Sequence, residues 1–179
     1  MLVALSTAWV CGLAATPSRA AFPDELQVGT RVEVKGRLIG PRTMAADLIE
    51  IDTRPGGEDG LGGVIDSVDA NAKTLTVLGI KIATSSETAL AGESREPIEF
   101  ADFKRGQWVS VDGTLGEDGA VKASEVRIKP PNPQGSRQPK LEGRVSQVDG
   151  TRNRFTLLGA TVAVTAQTQV VKKRTGGDE

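Results

Sequence analysis

Two interleaved internal repeats constrain this chain more than any other feature. Leu26–Ile51 lines up with Phe103–Ile128 without a gap. Gly29 matches Gly106, Val32 matches Val109, Val34 matches Val111, Gly36 matches Gly113, Ala46 matches Ala123 and Ile51 matches Ile128, each pair 77 positions apart. Leu61–Thr88 lines up with Leu141–Thr168 in the same way. Gly63, Val68-Asp69, Thr76, Leu78-Gly79, Ala83 and Thr88 match Gly143, Val148-Asp149, Thr156, Leu158-Gly159, Ala163 and Thr168, each 80 apart. The first repeat is termed unit B and the second unit A, so the order along the chain is B-A-B-A.

Both units read as strands. In unit A, Val64–Val68 starts a strand and Asp69-Ala70-Asn71-Ala72 has turn chemistry. Thr74–Val77 then alternates polar and apolar, Gly79 permits a tight bend, and Ile80-Lys81-Ile82 alternates again. Outward positions are expected at Thr74, Thr76, Lys81, Thr156 and Leu158. In unit B, Trp108–Asp112 alternates with Val109 and Val111 inward, and Glu117-Asp118-Gly119 makes a hairpin turn. The returning strand carries Val121 and Ala123 on one face and then slips phase to Val126 and Ile128. The first copy slips at the same place, from Met44 and Ala46 to Ile49 and Ile51. A one-residue slip inside a strand is the signature of a β-bulge. Between the units, Ala101–Gly106 predicts one short helical turn ended by glycine.

An A-then-B unit is thus three strands, a short helical link and two strands. That order predicts an all-β fold of tandem five-stranded Greek-key barrels of the OB type. The spaced residues Gly63-x-Ile65-x-x-Val68-Asp69 and Leu75-x-Val77-x-Gly79, with Thr88, resemble the first half of a known repeat. Phe103-x-x-Gly106-x-x-Val109-x-Val111-x-Gly113 and Ala123-x-x-Val126 resemble its second half. The repeat is the exported bacterial domain of unknown function 5666, similar in layout to OB barrels. The resemblance implies export and a barrel, and it supplies no catalytic residues.

Residues 61–128 form the one contiguous A-then-B module. The leftover halves, B at 21–53 and A at 140–172, are expected to combine into a second, permuted barrel. Two rivals compete with this pairing: the first B with the first A through Arg54–Gly60, or exchange of halves between two chains in a homodimer. The stretch 129–139, with Pro130, Pro131, Pro133 and Pro139, is an extended linker, and 173–179 is a polar tail.

Residues 1–20 read as a secretory signal: Leu2–Ala15 is mostly apolar, and Ser18-Arg19-Ala20 places cleavage after Ala20, although no basic residue precedes the apolar run. Val10 before Cys11 is not the small residue a lipid anchor needs. The mature chain then lacks cysteine, and no second apolar run is long enough to cross a membrane. A periplasmic or extracellular location is the expectation.

The chain has no His, which removes the commonest general base and metal ligand. A Ser-His-Asp triad is therefore impossible, and no spacing singles out a carboxylate pair. Asp66, Asp69 and Asn71, and Glu117 with Asp118, carry oxygen ligands but read as turn residues rather than a calcium loop. No cofactor is expected. The middle strands of both A units lack outward aromatics, which argues against stacking of nucleic-acid bases. Trp108 is the one aromatic expected to face outward, with Arg31 as its counterpart. Charge divides unevenly: residues 21–128 carry 12 basic and 19 acidic side chains, and residues 129–179 carry 9 and 4. The basic residues Arg144, Arg152, Arg154, Lys172, Lys173 and Arg174 either steer the last A unit onto the acidic body or bind an anionic surface. Their plainer reading is a solvated face with a frayed tail.

The expected function is a non-enzymatic binding or scaffolding module of the bacterial envelope, acting on an envelope protein. The alternative is a binder of an anionic oligosaccharide or polymer through Trp108, Arg144, Arg152 and Arg154. A carboxylate-dependent hydrolase is the third and weakest reading.

Overall fold

The computed structural model describes residues 22–52, 56–130 and 137–173. The expected leader with Cys11, the linker prolines Pro131 and Pro133, and the tail from Arg174 lie outside the described residues. Within them the chain is all-β, a 12-stranded mixed sheet. In chain order the strands are β1 (Arg31–Gly40), β2 (Thr43–Asp52), β3 (Asp59–Asp69), β4 (Thr74–Val77), β5 (Ile80–Ala83), β6 (Ala89–Ala91), β7 (Trp108–Leu115), β8 (Val121–Ile128), β9 (Lys140–Asp149), β10 (Arg154–Leu157), β11 (Ala160–Ala163) and β12 (Gln169–Lys172). A single 3-10 turn at Phe100–Asp102 precedes β7.

The phase slip in unit B is a bulge, as its pattern requires. Along β7 and β8, Asp112 faces Glu125 and Gly113 faces Ala123, so Ser124 is the extra residue. Along β1 and β2, Lys35 faces Leu48 and Gly36 faces Ala46, leaving Asp47 over. The bulge restores burial on the far side of the slip: Val126 and Ile49 are fully buried. Unit A carries its own pair of slips, at Asp66 between β3 and β4 and at Ser146 between β9 and β10.

Two expectations for unit A need correction. Leu158 does not face outward; it is 2% exposed, like Leu78 at 3%. Both sit in two-residue hairpin turns at positive φ, 54° and 50°, each followed by a left-handed glycine. The turn ends the simple alternation and folds the leucine over the first strand of its own unit. A Cβ on Gly63 would meet Leu78 Cδ2 at 2.6 Å, and one on Gly143 would meet Leu158 Cδ2 at 3.4 Å. The repeated leucine thus lies against the repeated glycine in both copies, although at Gly143 the nearest neighbour of a Cβ would be Asp59 Oδ1 at 2.9 Å. Second, the three strands expected in each unit A are followed by a short fourth one, which in the second copy falls inside 140–172. β6 pairs parallel with β8, and β12 pairs parallel with β2.

The pairings run in two circuits. In the first, β3 pairs with β4, β4 with β5, β5 with β8, β8 with β7, and β7 with β3. In the second, β9 pairs with β10, β10 with β11, β11 with β2, β2 with β1, and β1 with β9. The first unit B therefore pairs with the last unit A within one chain. The matched residues explain how. Thr88 Oγ1 donates to Ala123 O at 2.8 Å, and Thr168 Oγ1 donates to Ala46 O at 2.7 Å. Gly106 N donates to Ile65 O at 3.0 Å, and Gly29 N donates to Val145 O at 2.8 Å. Each repeated Thr also accepts from the backbone, from Ser85 N and Thr165 N. Substitution Thr88→Val or Thr168→Val leaves a carbonyl and an amide without their partner. Each is expected to cost about 1–3 kcal/mol in denaturant unfolding, with the two losses equal to within the error if the circuits are equivalent.

Strands β3 and β9 join the circuits. Leu61 faces Leu141, flanked by Gly60 opposite Glu142 and Gly62 opposite Lys140. Both leucines are 1% exposed. The strands β2-β1-β9-β3-β7-β8 thus form one continuous six-stranded stretch across the junction.

Candidate functional site

The structure does not gather the four residues singled out in the sequence into one site; only Arg152 and Arg154 lie together. Arg144 lies on β9, where its Nη1 donates to Gly29 O at 3.0 Å. Arg152 lies in a 3-10 turn at Gly150–Arg152 and pairs with Asp149 at 3.1 Å. The hydrogen bond from Thr151, with those from Arg152, holds the Asp149 carboxyl below its ordinary value. Arg154, at the start of β10, shares with Arg152 a concavity of about 250 Å³ that also touches Val148 and Phe155. Of the terminal lysines, Lys172 lies 3.8 Å from Glu25 and Lys173 lies 3.9 Å from Asp52. The oxygen ligands are engaged in turns. Asp69 Oδ1 accepts from Asn71 N and Ala72 N, Asp66 Oδ2 accepts from Gly79 N, and Asp118 Oδ1 accepts from Ala120 N.

Trp108 lies apart from these arginines, at the junction of the two circuits. It is half-buried and lines a concavity of about 690 Å³ with Lys35, Gly62, Ser110, Asp112, Arg127, Lys129, Arg137, Gln138 and Lys140. Sequence reasoning missed this group because its members come from five strands and both ends of the linker. The register assembles them: Lys35 faces Lys140, Lys140 faces Gly62, Gly62 faces Ser110 and Ser110 faces Arg127. Lys129 follows β8 and donates its backbone N–H to Trp108 O at 2.8 Å. The guanidinium of Arg137 sits 5.8 Å from the centre of the Trp108 ring, an attraction that fixes the charge over the ring.

Only some of these cations are neutralised. Lys35 is paired with Glu33 at 2.9 Å and Glu50 at 3.2 Å. Lys140 is paired with Glu142 at 3.3 Å and Glu33 at 3.8 Å. Among the described residues, the one carboxylate at ion-pair distance from Arg127 is Glu125, at 3.9 Å, and the buried Arg127 Nε has no hydrogen-bond partner there. Among the described residues, neither Lys129 nor Arg137 has a carboxylate at ion-pair distance. Burial, then the charges of Arg127, Arg137 and Arg95, press the Lys129 ammonium below its ordinary value against the pull of Asp112. Burial, aided by Glu125, raises the Asp112 carboxyl in spite of Lys140.

The repeat makes this imbalance legible. Moving back 77 positions turns Trp108, Ser110, Asp112, Arg127 and Lys129 into Arg31, Glu33, Lys35, Glu50 and Asp52. The equivalent face on the other circuit is acidic, and it is closed by ion pairs. Arg31, 5% exposed, binds Glu142 at 3.1 Å and donates to Gly57 O at 3.1 Å and to Glu58 O. Burial alone would raise the Glu33 carboxyl, but the Lys35 hydrogen bond and the charges of Lys140, Lys35 and Lys173 outweigh it and lower the value. The sign of the linkage follows. A lowered carboxyl contributes stability above its unfolded value, near 4.5, and loses it as pH falls through the folded value. Glu33→Gln is expected to flatten the fall in stability on acidification below pH 4.5, measured as the pH dependence of the urea midpoint. An unchanged slope would show that the Glu33 pairs add nothing.

These features define an all-β repeat protein with a cationic, tryptophan-bearing face and, among the described residues, no cluster of three or more acidic, His or Cys side chains arranged for a metal. No described helix is long and apolar enough to cross a membrane. A family model described as a domain of unknown function (DUF5666) matches residues 62–127 and 142–179. The chain belongs to that family. No curated protein and no solved structure matches it.

Proposed function

We propose that the chain is a pair of OB-like barrels fused along β3 and β9, and that it serves as an exported, non-enzymatic binding module. The barrel reading is supported by the two five-strand circuits, each of which returns to the strand it left. Closure of this kind removes free edges, which suits a small module with few aromatics to bury. Export rests on the apolar run Leu2–Ala15 and the small residues around Ala20. The binding role rests on one observation above all: at the shared face, Arg127, Lys129 and Arg137 gather around Trp108 with only Asp112 in the lining and a long Glu125–Arg127 pair to oppose them, whereas ion pairs close the equivalent face. A cluster with such an excess of cations is suited to an anion.

That observation favours an anionic polymer over a protein partner as the ligand. A panel of polymers tests it: an acidic polysaccharide, inorganic polyphosphate, single-stranded DNA and neutral dextran, each offered to the full chain. Retention of at least one polyanion, weakening with salt and leaving the polymer length unchanged, is the expected result. Shortening of the polymer would make the protein an enzyme. Failure to retain any of them would return the role to scaffolding of an envelope protein. Mass spectrometry of the exported product tests the leader, with Ala21 expected as its first residue.

A further inference from the structure

The Trp108 concavity carries more than a positive charge, and its other lining residues narrow the ligand. This step rests on the binding-module reading. Its volume, about 690 Å³, is in the range of organic ligand sites rather than of single ions. Its floor is flat at Gly62, which has no side chain, and an added Cβ there would have only ordinary contacts, 3.8 Å to Lys140 Cβ and 3.9 Å to Trp108 Nε1. The Ser110 hydroxyl, the Trp108 indole and the Gln138 amide also line the concavity, the last with its Nε2 donating to Asp47 Oδ2 at 3.2 Å and its Oε1 left to accept. A tryptophan offers an apolar face together with one donor, and hydroxyl and amide groups match the hydroxyls of a sugar. The cations Arg127, Lys129 and Arg137 line the same concavity, and Arg137 is already held over the ring. Nucleic acid fits less well, because base stacking along a strand needs successive aromatics, and Trp108 is the only aromatic in the lining.

We propose that this concavity is a subsite for an acidic sugar unit of an anionic polysaccharide. The sugar ring lies over Gly62 and Ser110 against Trp108, and its carboxylate is taken by Arg137, Lys129 and Arg127. Asp112 is the one carboxylate in the lining, and it opposes the ligand's charge.

Calorimetric titration of the full chain with a short oligogalacturonate tests the assignment, beside its methyl ester, which keeps the rings and removes the charge, and inorganic polyphosphate, which keeps charge and has no ring. The acid form is expected to bind, and the ester to bind at least about tenfold more weakly. Gly62→Gln fills the floor without touching a charge, and Lys129→Gln with Arg137→Gln removes charge without touching the floor. Each change is expected to weaken the acid form by about tenfold, and Asp112→Asn to tighten it. Arg152→Gln with Arg154→Gln is expected to have no effect. Trp108→Leu should weaken the oligogalacturonate more than polyphosphate, and thermal melts will show whether Trp108→Leu and Gly62→Gln remain folded. Three outcomes overturn the proposal. One is binding that ignores both Gly62→Gln and the Lys129 and Arg137 changes; another is polyphosphate bound as tightly as the sugar and indifferent to Trp108→Leu. The third is retention of another polyanion with no binding of the oligogalacturonate. Each of these leaves the binding module standing, whereas retention of no polymer at all is the failure of that broader reading.

Discussion

Gly113→Ala is expected to destabilise the protein by about 3 kcal/mol or more, and Gly36→Ala by a similar amount. Neither glycine is needed for a left-handed backbone, since neither is among the residues of positive φ. Each is needed because the bulge on the neighbouring strand pushes a carbonyl into the place of a side chain. A Cβ on Gly113 would lie 2.2 Å from Lys122 O, and one on Gly36 would lie 2.1 Å from Ala45 O. Backbone at that distance cannot rotate away as a flexible side chain would, so the strand must shift and take buried neighbours with it. Val111 and Val34, two residues earlier on the same strands, are 1% and 0% exposed. Gly119→Ala is the control. Gly119 has a left-handed φ of 74° with nothing within 4 Å of an added Cβ, so it is expected to cost only about 1–2 kcal/mol. Urea unfolding of the three variants ranks them. Equal losses at all three would mean that the bulge contact is not what these repeated glycines serve.

Phe155→Ala is expected to cost about 3–5 kcal/mol. The chain has four Phe and no Tyr, so its core is made mainly of Val, Leu and Ile, and Phe155 heads the fully buried side chains by size. A core with so few rings has no spare aromatic to move into the space. The matched position in the other circuit is Leu75, fully buried, whose change to Ala removes less volume. Phe155→Ala should therefore exceed Leu75→Ala in chemical denaturation. The reverse order would show that the two matched positions are packed on different principles in spite of their common pattern.

Much of this was legible in the amino-acid order, because a repeat presents each physical requirement twice. The bulges showed as a phase slip, from Met44 and Ala46 to Ile49 and Ile51 and again from Val121 and Ala123 to Val126 and Ile128. The repeated Thr88 and Thr168 could be seen, but their partners Ala123 and Ala46 could be matched to them only through space. Strand β6 escaped notice because Ala89–Ala91 is too short for periodicity to register. Strand β12 escaped because it is only four residues long and its two valines, Val170 and Val171, are adjacent and give no alternation. Leu158 was misplaced because strand alternation stops at a two-residue turn. The Trp108 site was hidden for another reason. Its charges are dispersed over four strands and the two ends of the linker, and only the register across β3 and β9 gathers them. One signal was nevertheless present: at the 77-residue offset Glu50 becomes Arg127 and Asp52 becomes Lys129, a reversal of charge at matched positions that marks a face put to different use.

The proposed pair of fused barrels stands or falls on which strand lies beside β1. Cross-strand nuclear Overhauser effects in a monomeric sample decide this directly. Glu33 is expected to show contacts to Glu142 on β9, its register partner. Contacts from Glu33 to Gly62 instead, at the place that Ser110 holds on β3, or contacts to Glu142 that arise only between differently labelled chains, would contradict the account.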